Sequence, residues 1–120
     1  AYMHAREWSD AIEPLTRAAE MSDKGKFYVQ LAESYVQDEE WAKAEAALVK
    51  ALDKGGLENE ANSWLLLGIA RTRIEQYDSA IKAFRKAGDD DELAKDAFRW
   101  IRSIERRLAE KNREAEQGDG

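Results

Sequence analysis

The sequence predicts an all-α fold of stacked helix pairs, and three observations carry that prediction. A set of large and small apolar residues recurs at a fixed offset of 36 residues. Within each copy those residues stand three and four apart, the spacing of one helix face, and a single Pro with seven Gly leaves room for long helices. A chain of 120 residues holds one domain and one core, and 43% hydrophobic beside 37% charged residues is the balance of a globular protein.

The repeat is read by aligning Tyr28, Leu31, Ala32 and Tyr35 with Trp64, Leu67, Gly68 and Arg71. The second half of each unit aligns at the same offset, Trp41, Ala44, Leu48 and Ala51 against Tyr77, Ala80, Phe84 and Ala87. That second half occurs once more as Trp8, Ala11, Leu15 and Ala18, 33 residues before its copy, with Tyr2 matching Tyr35, so the first unit is expected to lack its front half. The surplus between the two offsets falls at Gly55-Gly56, a connection where added length costs little.

In order along the chain, helices are expected at about 1–6 and 8–21, the latter entered at Ser9 and Asp10 and bent at Pro14, which removes a hydrogen bond to Asp10. Helices at about 25–37 and 41–53 come next, with Asp38 to Glu40 as the start signal of the second, then 60–75 and 77–88. Gly25, Gly55 and Gly88 punctuate the ends. A last helix at 91–112, opened by the acidic run Asp89 to Glu92, carries Ala94, Ala97, Phe98, Ile101, Ile104 and Leu108 on one side and reads as a cap. The domain is thus expected over 1–112, as a partial repeat 1–24, repeats 25–60 and 61–94 and the cap helix, with a disordered tail at 113–120. Small residues at Ala44, Gly68 and Ala80 admit neighbouring backbones, while Trp64, Leu67, Tyr77 and Phe84 fill the space between them. Each large side chain so buried contributes roughly 1.5–3 kcal/mol.

The same residues bound the chemistry. With no cysteine there is no disulfide, thiolate metal site or thiol nucleophile, and the one histidine, His4, reads as a surface residue on a helix end. Asp89, Asp90 and Asp91 are consecutive and point different ways, so they read as caps rather than as calcium ligands, and Gly55-Gly56 lacks the Lys and Ser or Thr of a phosphate loop. No enzyme activity, cofactor or metal is expected. No apolar stretch approaches the roughly 18–20 residues of a membrane span. The net charge of −6 argues against nucleic acid. Lys95, Arg99, Arg102, Arg106, Arg107, Lys111 and Arg113 outnumber Asp96, Glu105 and Glu110 in the last helix, and this basic region reads as a solvated face.

The pattern of Trp64, Leu67, Gly68, Tyr77, Ala80, Phe84 and Ala87 resembles the signature of the tetratricopeptide repeat (TPR) family, over roughly residues 1–94. Glu92 stands where a Pro often closes the repeat, and Arg71 replaces an aromatic. The resemblance implies antiparallel helix pairs coiling into a right-handed superhelix. The first helix of each pair would line a concave groove that holds a peptide or amphipathic helix of a partner protein. The implied lining is Val29, Gln30, Glu33, Val36 and Gln37, then Leu65, Leu66, Ile69, Thr72 and Arg73, with Arg99, Trp100 and Ser103 from the cap helix. The basic clamp of TPRs that grip acidic chaperone tails is missing, because Val29, Gln30, Glu33, Leu65 and Leu66 stand at its positions. A competing expectation is that the chain ends a longer solenoid, and that its first repeat packs on other repeats or on a second copy as a homo-oligomer. The Leu65-Leu66-Leu67-Gly68-Ile69 stretch, with Trp100-Ile101-Arg102 later in the chain, is similar to the last repeats of bacterial envelope TPR proteins that accompany TonB-type transport systems, which implies a periplasmic or envelope location.

Overall fold

The computed structural model describes the backbone of residues 2–118 and the side chains of residues 12–118. The side chains of Tyr2, His4, Trp8 and Ala11 lie outside the described residues. Six helices are described, α1 (Tyr2–Met21), α2 (Lys26–Gln37), α3 (Trp41–Lys54), α4 (Glu60–Arg73), α5 (Tyr77–Ala87) and α6 (Ala94–Gly118), and no strand, so the fold is all-α. Each helix packs chiefly on the one before and the one after it in sequence. The radius of gyration, 16.3 Å, exceeds the roughly 13–14 Å of a compact globule of this length, as an elongated row of helices should.

The 36-residue offset is visible in atomic detail. At the end of α2 the Glu40 N–H donates to Tyr35 O (2.8 Å) and the Glu39 N–H to Val36 O (3.0 Å). At the end of α4 the Gln76 N–H donates to Arg71 O (2.8 Å) and the Glu75 N–H to Thr72 O (3.1 Å). Both turns are Schellman motifs, and both put a non-glycine residue in the left-handed region, Glu39 at φ 57° and Glu75 at φ 61°. A side chain there costs about 1 kcal/mol. Glu75→Gly is therefore expected to raise stability by about 0.5–1 kcal/mol in urea unfolding, the loss of that strain outweighing the added freedom of glycine in the unfolded chain. A fall in the urea midpoint would contradict this account of the turn.

The core follows the repeat. One cluster joins Ala19, Tyr28, Leu31, Ala32, Ala47, Leu48, Ala51, Leu67 and Ala83, and a second joins Tyr77, Ala80, Phe84, Ala87, Ala97, Ile101 and Ile104, with Trp64 packed against both. A Cβ on Gly68 would stand 2.6 Å from the Phe84 ring, so the bare backbone of α4 is what lets that ring in. Arg71, at the position held by Tyr35 one repeat earlier, takes on a polar version of the same task. Its Nε donates to Glu45 Oε2 (3.2 Å) and its Nη1 to Ser79 O (3.1 Å), tying α4 to α3 and α5 from a largely buried site. The Lys54 ammonium donates to Ala19 O (3.0 Å) and Ser22 O (2.6 Å), neutralising the carbonyl end of α1. Gly55 (φ 73°) and Gly56 (φ 67°) take the left-handed conformations that the lengthened connection needs.

Several expectations are corrected. The helices expected at 1–6 and 8–21 are one helix, α1. Ala5-Arg6-Glu7 stand where the later units have Asp38-Glu39-Glu40 and Ile74-Glu75-Gln76, and Ala and Arg favour continuation over a turn. Pro14 is exposed and α1 continues through it. Helix α3 begins after Glu40, whose side chain makes no capping bond. Helix α6 starts at Ala94 rather than 91, because Asp90 Oδ1 accepts from the N–H groups of Glu92 (2.9 Å) and Leu93 (3.3 Å) and holds a separate turn ahead of it. It also runs through Gly118, six residues past the expected end, on a segment rich in Ala, Glu, Lys, Arg and Gln. Within α6, Ala97, Ile101 and Ile104 are buried as expected, but Phe98 is 57% exposed.

Candidate functional site

Helix α4 is the centre of the candidate site because it is apolar on nearly every side. Trp64, Leu65, Leu66 and Leu67 are consecutive, so they radiate around the helix axis and between them reach both core clusters. Leu67 is fully enclosed, Leu66 packs on the cluster shared with α2 and α3, and Leu65 and Ile69 pack on the cluster shared with α5 and α6. Leu65, Leu66 and Ile69 are each half-buried, so each keeps part of its surface for solvent or a ligand.

Two concavities open where α2, α4 and α6 flank one another without close packing. The first, about 560 Å³, is floored by Val29, Leu57 and Leu66. Its rim carries Lys24, Lys26, Gln30, Glu33, Glu58, Asn59 and Asn62, two cations against two anions with three amides between them. The Asn59 side-chain oxygen accepts from the Asn62 N–H (3.1 Å) and starts α4, which leaves its amide N–H groups for another acceptor. An apolar floor with a mixed polar rim suits an amphipathic segment: the floor takes apolar side chains and the rim satisfies main-chain or polar groups at the edge.

The second concavity, about 420 Å³, lies between α4 and α6 and is lined by Leu65, Asp96, Arg99, Trp100 and Ser103. The Trp100 ring stacks on Phe84, centroids 5.5 Å apart and planes within 8°, so one face of it belongs to the core while the residue also lines the opening.

The expected groove residues are therefore divided. Val29, Gln30, Glu33 and Leu66 meet in the first concavity, and Leu65, Arg99 and Trp100 in the second. Ile69 lines neither and packs on the α5–α6 core. Arg73 leaves the group altogether, since its guanidinium lies 5.5 Å over the Trp41 ring at the start of α3. Thr72 is turned back on its own helix, its hydroxyl donating to Gly68 O (2.8 Å). Val36 and Gln37 line neither opening. Sequence reasoning missed Lys24, Lys26, Leu57, Asn59 and Asn62. The signal for Leu57 and Asn59 was the surplus at Gly55-Gly56, since a longer connection has residues to fold back over the mouth of the α2–α4 gap.

Among the described residues no three His, Cys, Asp or Glu side chains gather as a metal site, and no helix is long and apolar enough to cross a membrane. No family model matches the chain, and no curated protein matches it either.

Proposed function

We propose that this chain is a TPR-type scaffold, without catalytic activity of its own, that holds an apolar peptide or amphipathic helix of a partner protein against α2 and α4. The observation that carries the reading is the concavity of about 560 Å³, whose apolar floor of Val29, Leu57 and Leu66 is open to solvent between two helices of the same repeat phase. The paired turns at Glu39 and Glu75, and the repeated burial of Tyr28, Leu31, Ala44, Leu48 and Ala51 alongside Leu67, Tyr77, Ala80, Phe84 and Ala87, support the repeat assignment. Superhelical coiling and a bacterial envelope setting rest on the resemblance and belong to the same proposal.

The test is selection from a display library of random peptides about as long as the groove, with titration of the enriched peptides against wild type and Leu66→Glu. Both proteins are first shown by circular dichroism to keep the same fold. Selected peptides should carry apolar residues at helical spacing, and Leu66→Glu should weaken them by about tenfold or more, because it puts a charge on the floor against which their apolar side chains pack. Unchanged binding by Leu66→Glu, or no enrichment at all, would remove the groove from the function. Retention of a partner from envelope but not cytosolic bacterial lysate would supply the compartment.

A second reading makes the chain the structural end of a solenoid that packs on further repeats or on another copy. It draws on Met21, 86% exposed at the end of α1. Sedimentation that rises with concentration and falls back in Met21→Gln would favour it.

A further inference from the structure

The outward face of α6 carries a single file of cations. Lys95, Arg99, Arg102 and Arg106 each stand two residues before a residue of the inward stripe, Ala97, Ile101, Ile104 and Leu108. Two residues turn a helix by about 200°, so the cations lie opposite the core. All four are exposed, and none takes part in an ion pair among the described residues. Asp96 follows Lys95 by one position and Glu105 precedes Arg106 by one, so one carboxylate lies on each flank and the file is one residue wide. Phe98 stands beside it, 57% exposed, and with Lys95, Arg99 and Arg102 borders a hollow of about 290 Å³. The solvated face expected from the sequence thus has an order that solvation alone does not require.

We infer that this face, which shares Arg99 with the α4–α6 opening but is separate from the α2–α4 concavity over Leu66, is a second docking surface, for a short acidic segment of a partner protein that carries a row of Asp or Glu and one apolar residue for Phe98. Charge complementarity selects the sign, and the shape of the file selects the kind of partner. From Lys95 to Arg106 the file is about 16 Å long, and its steps of four, three and four residues match the carboxylates along one face of an acidic helix. Three of the four cations are arginines, whose planar forks take carboxylates in pairs.

An anionic membrane or a long nucleic acid fits less well. Helix α6 has seven Lys and Arg against five Asp and Glu, while the whole chain is net −6, so the remaining residues are net −8. An extended polyanion would reach past both ends of the file, to Asp91 and Glu92 before it and Glu110 after it, and meet that acidic remainder within about one Debye length, roughly 10 Å. A segment no longer than the file meets chiefly the two carboxylates on its flanks, Asp96 and Glu105.

The experiment titrates the protein with a fluorescein-labelled helical peptide of about 15 residues that carries Glu at the same alternating spacing and one Leu. Its comparison probes are the same peptide with Gln for Glu, phosphatidylserine vesicles and a single-stranded RNA. Wild type should bind the Glu peptide in preference to all three, more weakly as salt rises. The triple substitution Arg99→Gln, Arg102→Gln, Arg106→Gln should lose about tenfold or more, and Phe98→Ser a few-fold, with circular dichroism and melting temperature unchanged. Leu66→Glu should bind the peptide like wild type, which separates this surface from the groove. The inference is overturned if the triple variant binds equally, if the Gln peptide does as well, if vesicles or RNA bind more tightly, or if no probe binds. It is also overturned if the triple substitution abolishes self-association of the chain, which would assign the file to a second copy.

Discussion

Phe84→Ala is expected to cost about 3–5 kcal/mol and to loosen α6 before the rest of the molecule. The size follows from burial: Phe84 is 0% exposed and is the largest of the fully enclosed side chains. The consequence for α6 lies in the contacts of the ring, since it fills the hollow over Gly68 on one side and stacks on Trp100 on the other. Ala at 84 leaves both surfaces facing a void, and the bare backbone at Gly68 cannot move in to fill it. A domain of this size has about 5–15 kcal/mol of stability in all, so the loss takes a large share. Urea unfolding should show a lower midpoint, and hydrogen exchange should show the amides of Ala97 to Ile104 losing protection ahead of those in α2 and α3. Uniform loss across all helices would mean that the two core clusters unfold as one, and that Trp64, which touches both, couples them more strongly than the Trp100 stack holds α6.

What could be read from the sequence was whatever the 36-residue pattern imposes on more than one residue at a time. The positions and inner faces of α2 to α5 belong to this class, because each is marked by several apolar residues at helical spacing and by a twin elsewhere in the chain. Features decided by one residue were not legible. The missing turn near Arg6 depends on whether a local left-handed conformation outcompetes good helix formers. The start of α6 depends on one carboxylate, Asp90, accepting two N–H groups. Phe98 is one step off the stripe of Ala97, Ile101 and Ile104, and apolar character alone does not tell the edge of a face from its centre.

The candidate site was legible in part, for a related reason. Val29, Gln30, Glu33 and Leu66 are residues that the TPR resemblance implies, since it assigns a face to each helix, whereas Leu57 to Asn59 lie in a connection to which it assigns none. Arg73 had the right phase but a side chain long enough to reach Trp41, a favourable cation–aromatic contact that periodicity does not encode.

Gly25→Ala is expected to be the other costly substitution, and unlike Gly68→Ala it should resist rescue. A Cβ on Gly25 would fall 2.2 Å from the carbonyl oxygen of Ala51, while one on Gly68 would fall 2.6 Å from the Phe84 ring. Each single change forces overpacking of a kind that costs about 1–3 kcal/mol or more. The obstacles differ in what can yield. At Gly68 the obstacle is a side chain, and the preceding repeat shows the alternative, since Ala32 and Leu48 occupy the positions of Gly68 and Phe84. The pair Gly68→Ala with Phe84→Leu should therefore be more stable than the sum of its single changes, a coupling of about 1 kcal/mol or more. At Gly25 the obstacle is main chain, held by the Gly25 N–H donating to Gly55 O (2.9 Å), so relief requires α2 to move away from the end of α3. No smaller residue at position 51 removes a carbonyl, and Gly25→Ala combined with Ala51→Gly should remain as unstable as Gly25→Ala or become more so. Recovery in that double variant would show that the contact is made through the Ala51 side chain, and that the close approach of α2 to α3 is not what requires glycine at position 25.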